Sequence, residues 1–234
     1  MSAERQLLVA DLGRAPYAET LELQRAVAQA RITGDIPHDV LLLVEHPPVV
    51  TLGRGAKTDH LVAPHDLLRH RGVDVFEVER GGDITFHGPG QLVGYPILDL
   101  GRHRRDLHWY LRQLEETLIR ALAAYGIPAT RRPGLTGVWT SDRKIASIGV
   151  HARNWVTWHG FALNVTTDLS YFDLIVPCGI QGVVMTSIAR ELGRPALDLA
   201  KVGEVVGASL GAVFDLVPQP VSRATVEQWT APAA

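Results

Sequence analysis

Residues 136–168, TGVWTSDRKIASIGVHARNWVTWHGFALNVTTD, contain three strand-like runs in direct succession. The runs are TGVWTS, KIASIGVHA and WHGFALNVTTD, and no helical periodicity separates them. Strands that occur in groups, with helices between the groups, indicate an α+β fold rather than a regular βαβ repeat. We therefore predict an α+β domain that contains these strands.

Two helices precede this stretch. Residues 17–32 have helical periodicity, which Gly34 ends. Residues 106–126 give the strongest helix signal, with Asp106 as the N-cap and Gly126 as the stop. A stripe of leucines is predicted to form the buried face of this second helix: Leu107, Leu111, Leu114, Leu118 and Leu122.

The remaining elements complete a single domain. Strands are predicted within residues 38–53, 73–79 and 91–100, and a last amphipathic helix within residues 196–216. No internal repeat and no linker indicates a second domain. We expect one domain, large enough to form a catalytic domain, at residues 1–216, and a loosely packed C-terminal tail at residues 217–234.

Composition limits the class of protein. The 234 residues are 46% apolar and 21% charged, with a formal net charge of −2, so no overall field points to nucleic acid or an anionic membrane. The single cysteine cannot form an internal disulfide, which fits a reducing compartment. The N-terminal stretch is not typical of a signal peptide, and no run approaches a membrane span of about 20 apolar residues. We expect a cytoplasmic protein.

The stretch RGGDITFHGPGQLVGYPI, residues 80–97, has the highest density of glycines and polar side chains. Glycines allow a ligand to approach the backbone closely, and the stretch lies between two apolar strands. An ordinary hairpin connection is the alternative, but the polar side chains favour a binding site. A dinucleotide-binding glycine loop is excluded because GPGQLVG precedes a strand and opens no helix.

The cysteine, Cys178, lies between Pro177 and Gly179, where the backbone is expected to turn. Such a corner presents a side chain to a cleft, whereas a structural cysteine usually lies within a strand or helix. A cysteine with an ordinary pKa of about 8.5 is only a few per cent thiolate at neutral pH, so a reactive role requires an activating group.

Two other positions have open interpretations. Lys144 begins a strand whose same-face neighbours are apolar, and taken alone it is a strand-end lysine that reaches into water. In WHGFALNV, the small residues Gly160 and Ala162 flank Phe161. They leave room either for a ligand or for ordinary core packing.

The ten histidines do not form a recognisable metal motif. No pair has the spacing of a helical or finger-type site, although His151 and His159 lie in adjacent predicted strands. No GxSxG elbow and no phosphate-binding Walker loop is present. We predict that the protein uses no metal and no cofactor.

These motifs, in this order, resemble the lipoyl(octanoyl) transferases. The resemblance is carried by RGGDITFHGPGQLVGYP, by GVW with KIASIGVH, by WHGFALNV, and by IVPCGI with VMTSI, within residues 40–192. It implies a mixed, mostly antiparallel sheet flanked by helices, as in biotin and lipoate ligase catalytic domains. It also implies that Cys178 is the nucleophile and Lys144 its catalytic partner. The implied substrate-binding residues are Arg80, Gly81, Gly82, Asp83, Ile84, Thr85, Phe86, His87, Ser147, Ile148, Gly149, Gly160, Phe161 and Ala162.

The implied reaction is transfer of an octanoyl group in lipoate biosynthesis. The donor is octanoyl-acyl carrier protein, and the acceptors are lipoyl domains of 2-oxoacid dehydrogenases and the glycine cleavage H protein. The acyl group passes through a thioester on Cys178, with Lys144 favouring the thiolate and later accepting a proton. Backbone N–H groups of Cys178 and Gly179 are candidates to bind the oxyanion. Phe161, Ile148 and Ile84 are candidate walls of the acyl slot.

The protein is expected to act as a monomer without nucleic acid or membrane. Acidic partner proteins would need a basic docking surface, and Arg131 with Arg132 is preferred over the arginines of GRHRR, residues 101–105. The main alternative is an ATP-dependent lipoate or biotin protein ligase on the same fold, but its acyl-adenylate chemistry has no use for a thiol at a corner. A silent acyl-binding module and a cysteine–histidine protease are weaker alternatives.

Overall fold

The computed structural model describes residues 5–180 and 182–230. The strands in chain order are β1 Gln6–Arg14, β2 Asp39–Glu45, β3 Val49–Leu52, β4 Asp74–Glu77, β5 Ile84–His87, β6 Gln91–Ile97, β7 Thr130–Arg132, β8 Leu135–Thr140, β9 Arg143–Arg153, β10 Val156–Asn164 and β11 Val217–Val221. The α-helices are α1 Tyr17–Thr33, α2 His65–His70, α3 Leu107–Ala124, α4 Ile188–Leu192, α5 Leu199–Phe214 and α6 Arg223–Thr230.

Most of the strands form one large mixed sheet. Its order is β11-β1-β2-β6-β10-β9-β8-β7, in which β1 runs parallel to β11 and β2 and all other neighbours are antiparallel. The quoted stretch provides the consecutive antiparallel strands β8, β9 and β10. This arrangement confirms the predicted α+β fold with a mixed, mostly antiparallel sheet.

Helices cover both faces of this sheet because successive strand residues point to opposite sides. On β2, Leu41 and Leu43 pack on the side of α3 and α5, whereas Leu42 and Val44 pack on the side of α1. Helix α6 adds Val226 to this second side. The domain therefore has a separate apolar core on each face of the sheet.

The sequence signals place the helix ends correctly. Gly34 follows α1 with a left-handed backbone at φ 91°, and Asp106 caps α3 by accepting the Trp109 N–H at 3.0 Å. The leucine stripe is only partly right, because Leu107 in the first turn of α3 is 39% exposed. Leu114, Leu118 and Leu122 are buried as predicted.

The C-terminal segment is not loosely packed where the structure describes it. Residues 217–221 form β11, which extends the large sheet as an edge strand beside β1. Pro218 and Pro220 are compatible with this position because an edge strand leaves one side of its backbone unpaired. Residues 231–234 of the predicted tail lie outside the described residues, and the boundary at residue 216 stays a prediction.

A small second sheet supports the segment that contains the cysteine. Its order is β4-β3-β5, and one face packs on a cluster formed with Phe172, Leu174 and Ile175. The Leu61–Ile175 bridge attaches the chain after β3 to the same segment. None of the helices within residues 5–180 and 182–230 is long and apolar enough to cross a bilayer.

Candidate active site

Cys178 lies in a single 3₁₀ turn, Pro177–Gly179, with its backbone in the left-handed region at φ 55° and ψ 22°. This conformation is uncommon for a residue with a side chain and is concentrated at functional sites. The Val176 N–H donates to the His60 carbonyl at 2.7 Å, which fixes the start of the turn. The Gly179 N–H donates to the Val176 carbonyl at 3.0 Å, so it is engaged within the turn. Binding of an oxyanion by the N–H groups of Cys178 and Gly179 stays a prediction.

Lys144 lies near the start of β9, and its ammonium nitrogen Nζ is 3.0 Å from Cys178 Sγ. Its backbone N–H donates to the Val184 carbonyl at 2.8 Å, and its carbonyl accepts the Thr186 N–H at 2.9 Å. The residue is 1% exposed, so the interpretation of Lys144 as a strand-end side chain in water is wrong. The two residues that the resemblance implied as catalytic are therefore in direct contact.

An aromatic ring and backbone atoms surround the buried side chain of Lys144. Nζ lies 5.1 Å from the centroid of the Trp139 ring on β8, within the range of a cation–π contact. Gly137 provides the space, since a Cβ at this position would lie 2.9 Å from the Lys144 Cε and 2.7 Å from the Ala146 carbonyl oxygen. This enclosure restricts the Lys144 side chain and directs Nζ at the thiol.

A cavity of about 230 Å³ opens beside Cys178. Most of the predicted substrate-binding residues line it: Arg80, Gly82, Asp83, Thr85, His87, Ser147, Ile148, Gly149, Gly160, Phe161 and Ala162. Ser147 Oγ is 3.8 Å from Cys178 Sγ, which connects the β9 wall to the thiol. The structure thus gathers segments from β5, β9, β10 and the cysteine turn around one space.

Three predicted residues lie elsewhere. Ile84 and Phe86 alternate with Thr85 and His87 along β5, so they point to the opposite face and are buried in the core of the small sheet. Ile84 therefore does not form a wall of the acyl slot. Gly81 lies outside the lining and donates its N–H to the Val150 carbonyl at 2.8 Å, which fastens the glycine-rich loop to β9.

A hydrogen-bond chain connects the glycine-rich loop to the strand of Lys144. His87 Nδ1 donates to Gln91 Oε1 at 2.8 Å, and Gln91 Nε2 donates to Asn164 Oδ1 at 2.9 Å. Asn164 Nδ2 then donates to the Thr186 carbonyl at 3.0 Å, and the Thr186 N–H binds Lys144. These buried groups are paired, which holds the cavity wall in one arrangement.

Several polar side chains at or behind the cavity wall have pKa values far from their ordinary values. Burial lowers the pKa of His87 to about 3 and that of His46 behind it to about 4, so both imidazoles are neutral at pH 7. Burial also lowers the pKa of Arg80, whose guanidinium donates to the Thr51 carbonyl at 2.7 Å. Burial raises the pKa of Tyr17 to about 12.

Sequence reasoning missed several residues that line the cavity. These are Tyr17, Val93, Tyr95, Gly134, Leu135, Thr136, His159 and Ile180. His159 and Tyr95 stand inside the quoted motifs WHGFALNV and QLVGYP, so the motifs contained a signal for them. Tyr17 starts α1, Gly134 lies between β7 and β8, and Leu135 and Thr136 start β8. These residues are distant from the quoted site motifs or carry no distinctive side chain, and no local pattern identifies them.

The preferred basic pair is already engaged in ion pairs. Arg131 binds Glu116 at 2.7 Å and the fully buried Glu115 at 3.2 Å, and Arg132 pairs with Asp142. Because these acidic groups offset the positive charge, the pair is a weaker docking surface than the sequence indicates. A role in partner docking stays a prediction.

An α+β domain that holds a cysteine–lysine contact at the mouth of a part-apolar cavity has the layout of an acyl-group-transferring enzyme. The chain belongs to the lipoyl protein ligase A/B catalytic domain family, whose model matches residues 16–211. It is 51% identical to an octanoyltransferase of Solibacter usitatus over 92% of this chain and 96% of the relative.

Two solved structures share the fold. A lipoate-protein ligase A bound with ATP has a TM-score of 0.74 at 15% identity, covering 97% of this chain and 92% of the ligase. A bipartite lipoate protein ligase of Thermoplasma acidophilum, described with its E2 lipoyl domain, has a TM-score of 0.73 at 16% identity, covering 97% of this chain and 90% of the ligase chain. At such low identity the likeness shows the fold alone.

Proposed function

We propose that the protein transfers an octanoyl group from octanoyl-acyl carrier protein to a lysine ε-amine of lipoyl-dependent enzyme domains, through a thioester on Cys178. Octanoyl transfer in lipoate biosynthesis rests on about half-identical octanoyltransferase relatives such as that of S. usitatus. The observation that carries the mechanism is the 3.0 Å contact between Lys144 Nζ and Cys178 Sγ.

The contact supports both halves of the reaction. An ammonium at hydrogen-bond distance favours the thiolate, which is the nucleophilic form. The thiolate attacks the donor thioester, and the carrier's thiolate leaves with a proton from Lys144. Lys144 is then neutral and can take a proton from the acceptor amine. Exchange of one thioester for another is nearly balanced and amide formation is downhill, so no nucleotide is required.

The cavity supplies a place for the acyl chain. Ile148 and Phe161 contribute apolar wall on adjacent strands, with Ala162 beside them. Burial of six or seven methylene groups at about 0.8 kcal/mol each is worth roughly 5 kcal/mol of affinity. In this proposal Ile148 and Phe161, two of the three predicted wall residues, form the apolar side of the slot.

The acceptor class is supported by fold relatives. The T. acidophilum ligase is described together with an E2 lipoyl domain, and modification of a lipoyl protein fits the family as a whole. Lipoyl domains of 2-oxoacid dehydrogenases and the glycine cleavage H protein are the proposed acceptors, and octanoyl-acyl carrier protein is the proposed donor. The domain is proposed to act as a monomer in the cytoplasm.

The ATP-dependent ligase is the less supported alternative. The ATP-bound ligase is only 15% identical to this chain, far below the octanoyltransferase relative. The acyl-adenylate chemistry of a ligase also gives no role to the thiol of Cys178.

Intact-protein mass spectrometry tests the proposal. The purified protein is incubated with octanoyl-acyl carrier protein in the absence of nucleotide, and then a lipoyl domain is added. We expect one octanoyl increment on the enzyme, lost from Cys178→Ser, and then the same increment on the lipoyl domain. Transfer that requires ATP, or transfer without an enzyme-bound increment, contradicts the mechanism.

A further inference from the structure

A histidine–aspartate pair packs against the cysteine turn. His60 Nδ1 is 2.6 Å from Asp83 Oδ2, and the other oxygen, Oδ1, accepts the Ile84 N–H at 2.7 Å. Asp83 lines the cavity together with Cys178, and the backbone carbonyl of His60 holds Val176. The pair therefore joins the glycine-rich loop to the turn that carries the nucleophile.

The hydrogen bond fixes which imidazole nitrogen carries the proton. A carboxylate only accepts, so in the neutral imidazole Nδ1 donates and Nε2 has the lone pair. The His60 side chain is 18% exposed and the Asp83 side chain 14%, so both have access to solvent, and Asp83 also lines the cavity. A histidine oriented by a carboxylate, with a free nitrogen and access to water, is a typical proton acceptor.

Gly179 shows how closely the pair approaches the nucleophile. A Cβ on Gly179 would lie 2.4 Å from Asp83 Oδ2 and 2.9 Å from His60 Cε1. No side chain separates the pair from the residue that follows Cys178. The pair therefore lies directly against the turn that presents the thiol on which the proposed thioester forms.

Proton balance shows that one base is insufficient for the proposed reaction. In the first half, Lys144 gives its proton to the departing carrier thiolate and becomes neutral. In the second half, the acceptor lysine arrives as an ammonium, because its pKa is about 10.4. Its nitrogen loses two protons as the N–C bond forms and the C–S bond to Cys178 breaks. Lys144 takes one proton and recovers its charge, and the other must leave the site.

We propose that His60, oriented by Asp83, accepts this second proton and passes it to solvent during aminolysis of the acyl-Cys178 intermediate. This inference rests on the proposed acyl-enzyme mechanism. It assigns His60 to the second half-reaction only, since the first half-reaction needs no base beyond the thiolate already formed. Asp83 acts through His60 as a positioning residue.

The test separates the two half-reactions in His60→Gln, with the exposed His70→Gln as a matched control. Acylation is followed by mass with octanoyl-acyl carrier protein, and the acyl-enzyme is then given either a lipoyl domain or hydroxylamine. Hydroxylamine is neutral at pH 7 and has one proton fewer to lose. We expect unchanged acylation, about 10²-fold slower transfer to the lipoyl domain, and a normal rate with hydroxylamine.

A pH series and a second variant complete the test. The deficit of His60→Gln should shrink as pH rises, because more of the acceptor amine then arrives neutral. Asp83→Asn should reproduce the deficit more weakly, because the imidazole remains.

The outcomes are distinguishable. Equal slowing of acylation and of both aminolysis reactions would show that His60 only supports the turn. An unchanged variant in every arm would overturn the inference and leave the acyl-enzyme mechanism standing. Absence of an octanoyl adduct on the wild-type enzyme would overturn both.

Discussion

The two residues in contact at the site occupy opposite kinds of structure. Lys144 belongs to a central strand of the large sheet, is 1% exposed and has both backbone groups hydrogen-bonded. Cys178 lies in a single 3₁₀ turn with a left-handed backbone and is only half-buried. The proposed base is thus held within the large sheet, and the proposed nucleophile is presented from an irregular corner.

This difference matches the demands on the two groups. In the proposed reaction the thiol is reached first by a carrier's thioester and then by a lysine on another protein, so it needs an accessible corner. The ammonium must keep one position relative to the thiol in both steps, which a packed strand provides. Fixing only one partner firmly lets the site admit bulky substrates while it keeps a 3.0 Å contact.

Removal of the corner's thiol has the largest expected effect. Cys178→Ser replaces the nucleophile with a far weaker one, so octanoyl transfer should fall by at least about 10³-fold. Intact mass after incubation with excess acyl donor should show no stable adduct on the variant. If Cys178→Ser still transferred the octanoyl group at near the wild-type rate, a covalent intermediate on Cys178 would be excluded.

Removal of the strand's charge should weaken both steps. Lys144→Met keeps the buried stem but removes the ammonium, so we expect about 10²-fold slower acylation and aminolysis. Alkylation of Cys178 at neutral pH should also slow, because the ammonium no longer favours the thiolate. Lys201→Met on the exposed side of α5 is the matched control. An alkylation profile identical to wild type would remove Lys144 from thiol activation.

Displacement of the corner tests how closely it must be held. Gly179→Ala places a methyl group 2.4 Å from Asp83 Oδ2, whereas Gly182→Ala meets nothing within 4 Å. Both positions have positive φ, at 66° and 72°, so backbone strain is shared. We expect Gly179→Ala to lower the acylation rate by about tenfold more than Gly182→Ala, at similar thermal stability. Equal rates would show that the corner adjusts freely.

The stability of the folded protein should depend on pH, because two histidines near the cavity are buried in the neutral form. The pKa values of His46 and His87 are about 4 and 3 in the folded protein, against about 6.5 when unfolded. Below pH 6.5 these two histidines bind more protons in the unfolded chain than in the folded protein. Their contribution to the free energy of unfolding is therefore fully present above pH 6.5 and is lost as the pH falls toward 4.

A single substitution measures this effect. Urea unfolding of wild type should lose stability between pH 6.5 and pH 5, above the range of ordinary carboxyl groups. His46→Gln should reduce that loss by about 1–2 kcal/mol. A wild-type midpoint that does not change over this interval would contradict the neutral, buried imidazoles.

Much of the fold was predictable because its signals are local. The succession of strands at residues 136–168 becomes β8, β9 and β10, and Gly34 and Asp106 act at the helix ends they were predicted to mark. The exception is residues 217–221, which were predicted to lie in a loosely packed tail. They join the sheet because an edge position tolerates missing N–H donors, a fact of tertiary placement.

The residues of the candidate site were likewise predictable only in part. Motif resemblance identified Cys178, Lys144 and most of the cavity lining, but it also implied that Ile84 and Phe86 bind substrate, and these two residues do not line the cavity. Strand alternation alone separates these two from Thr85 and His87. Which face of β5 lines the cavity depends on what packs against each face of the strand. The sequence of β5 alone does not contain that information.

By itself, the sequence determined the α+β class, the turn at Cys178 and the set of motifs, since each depends on residues a few positions apart. Only the tertiary structure decided that Lys144 is buried, that its Nζ lies 3.0 Å from a thiol 34 residues away, and that His60 and Asp83 meet beside Gly179. The physical reason is distance along the chain. Local patterns fix backbone conformation, whereas contacts between remote segments depend on how the two sheets and their connections pack together.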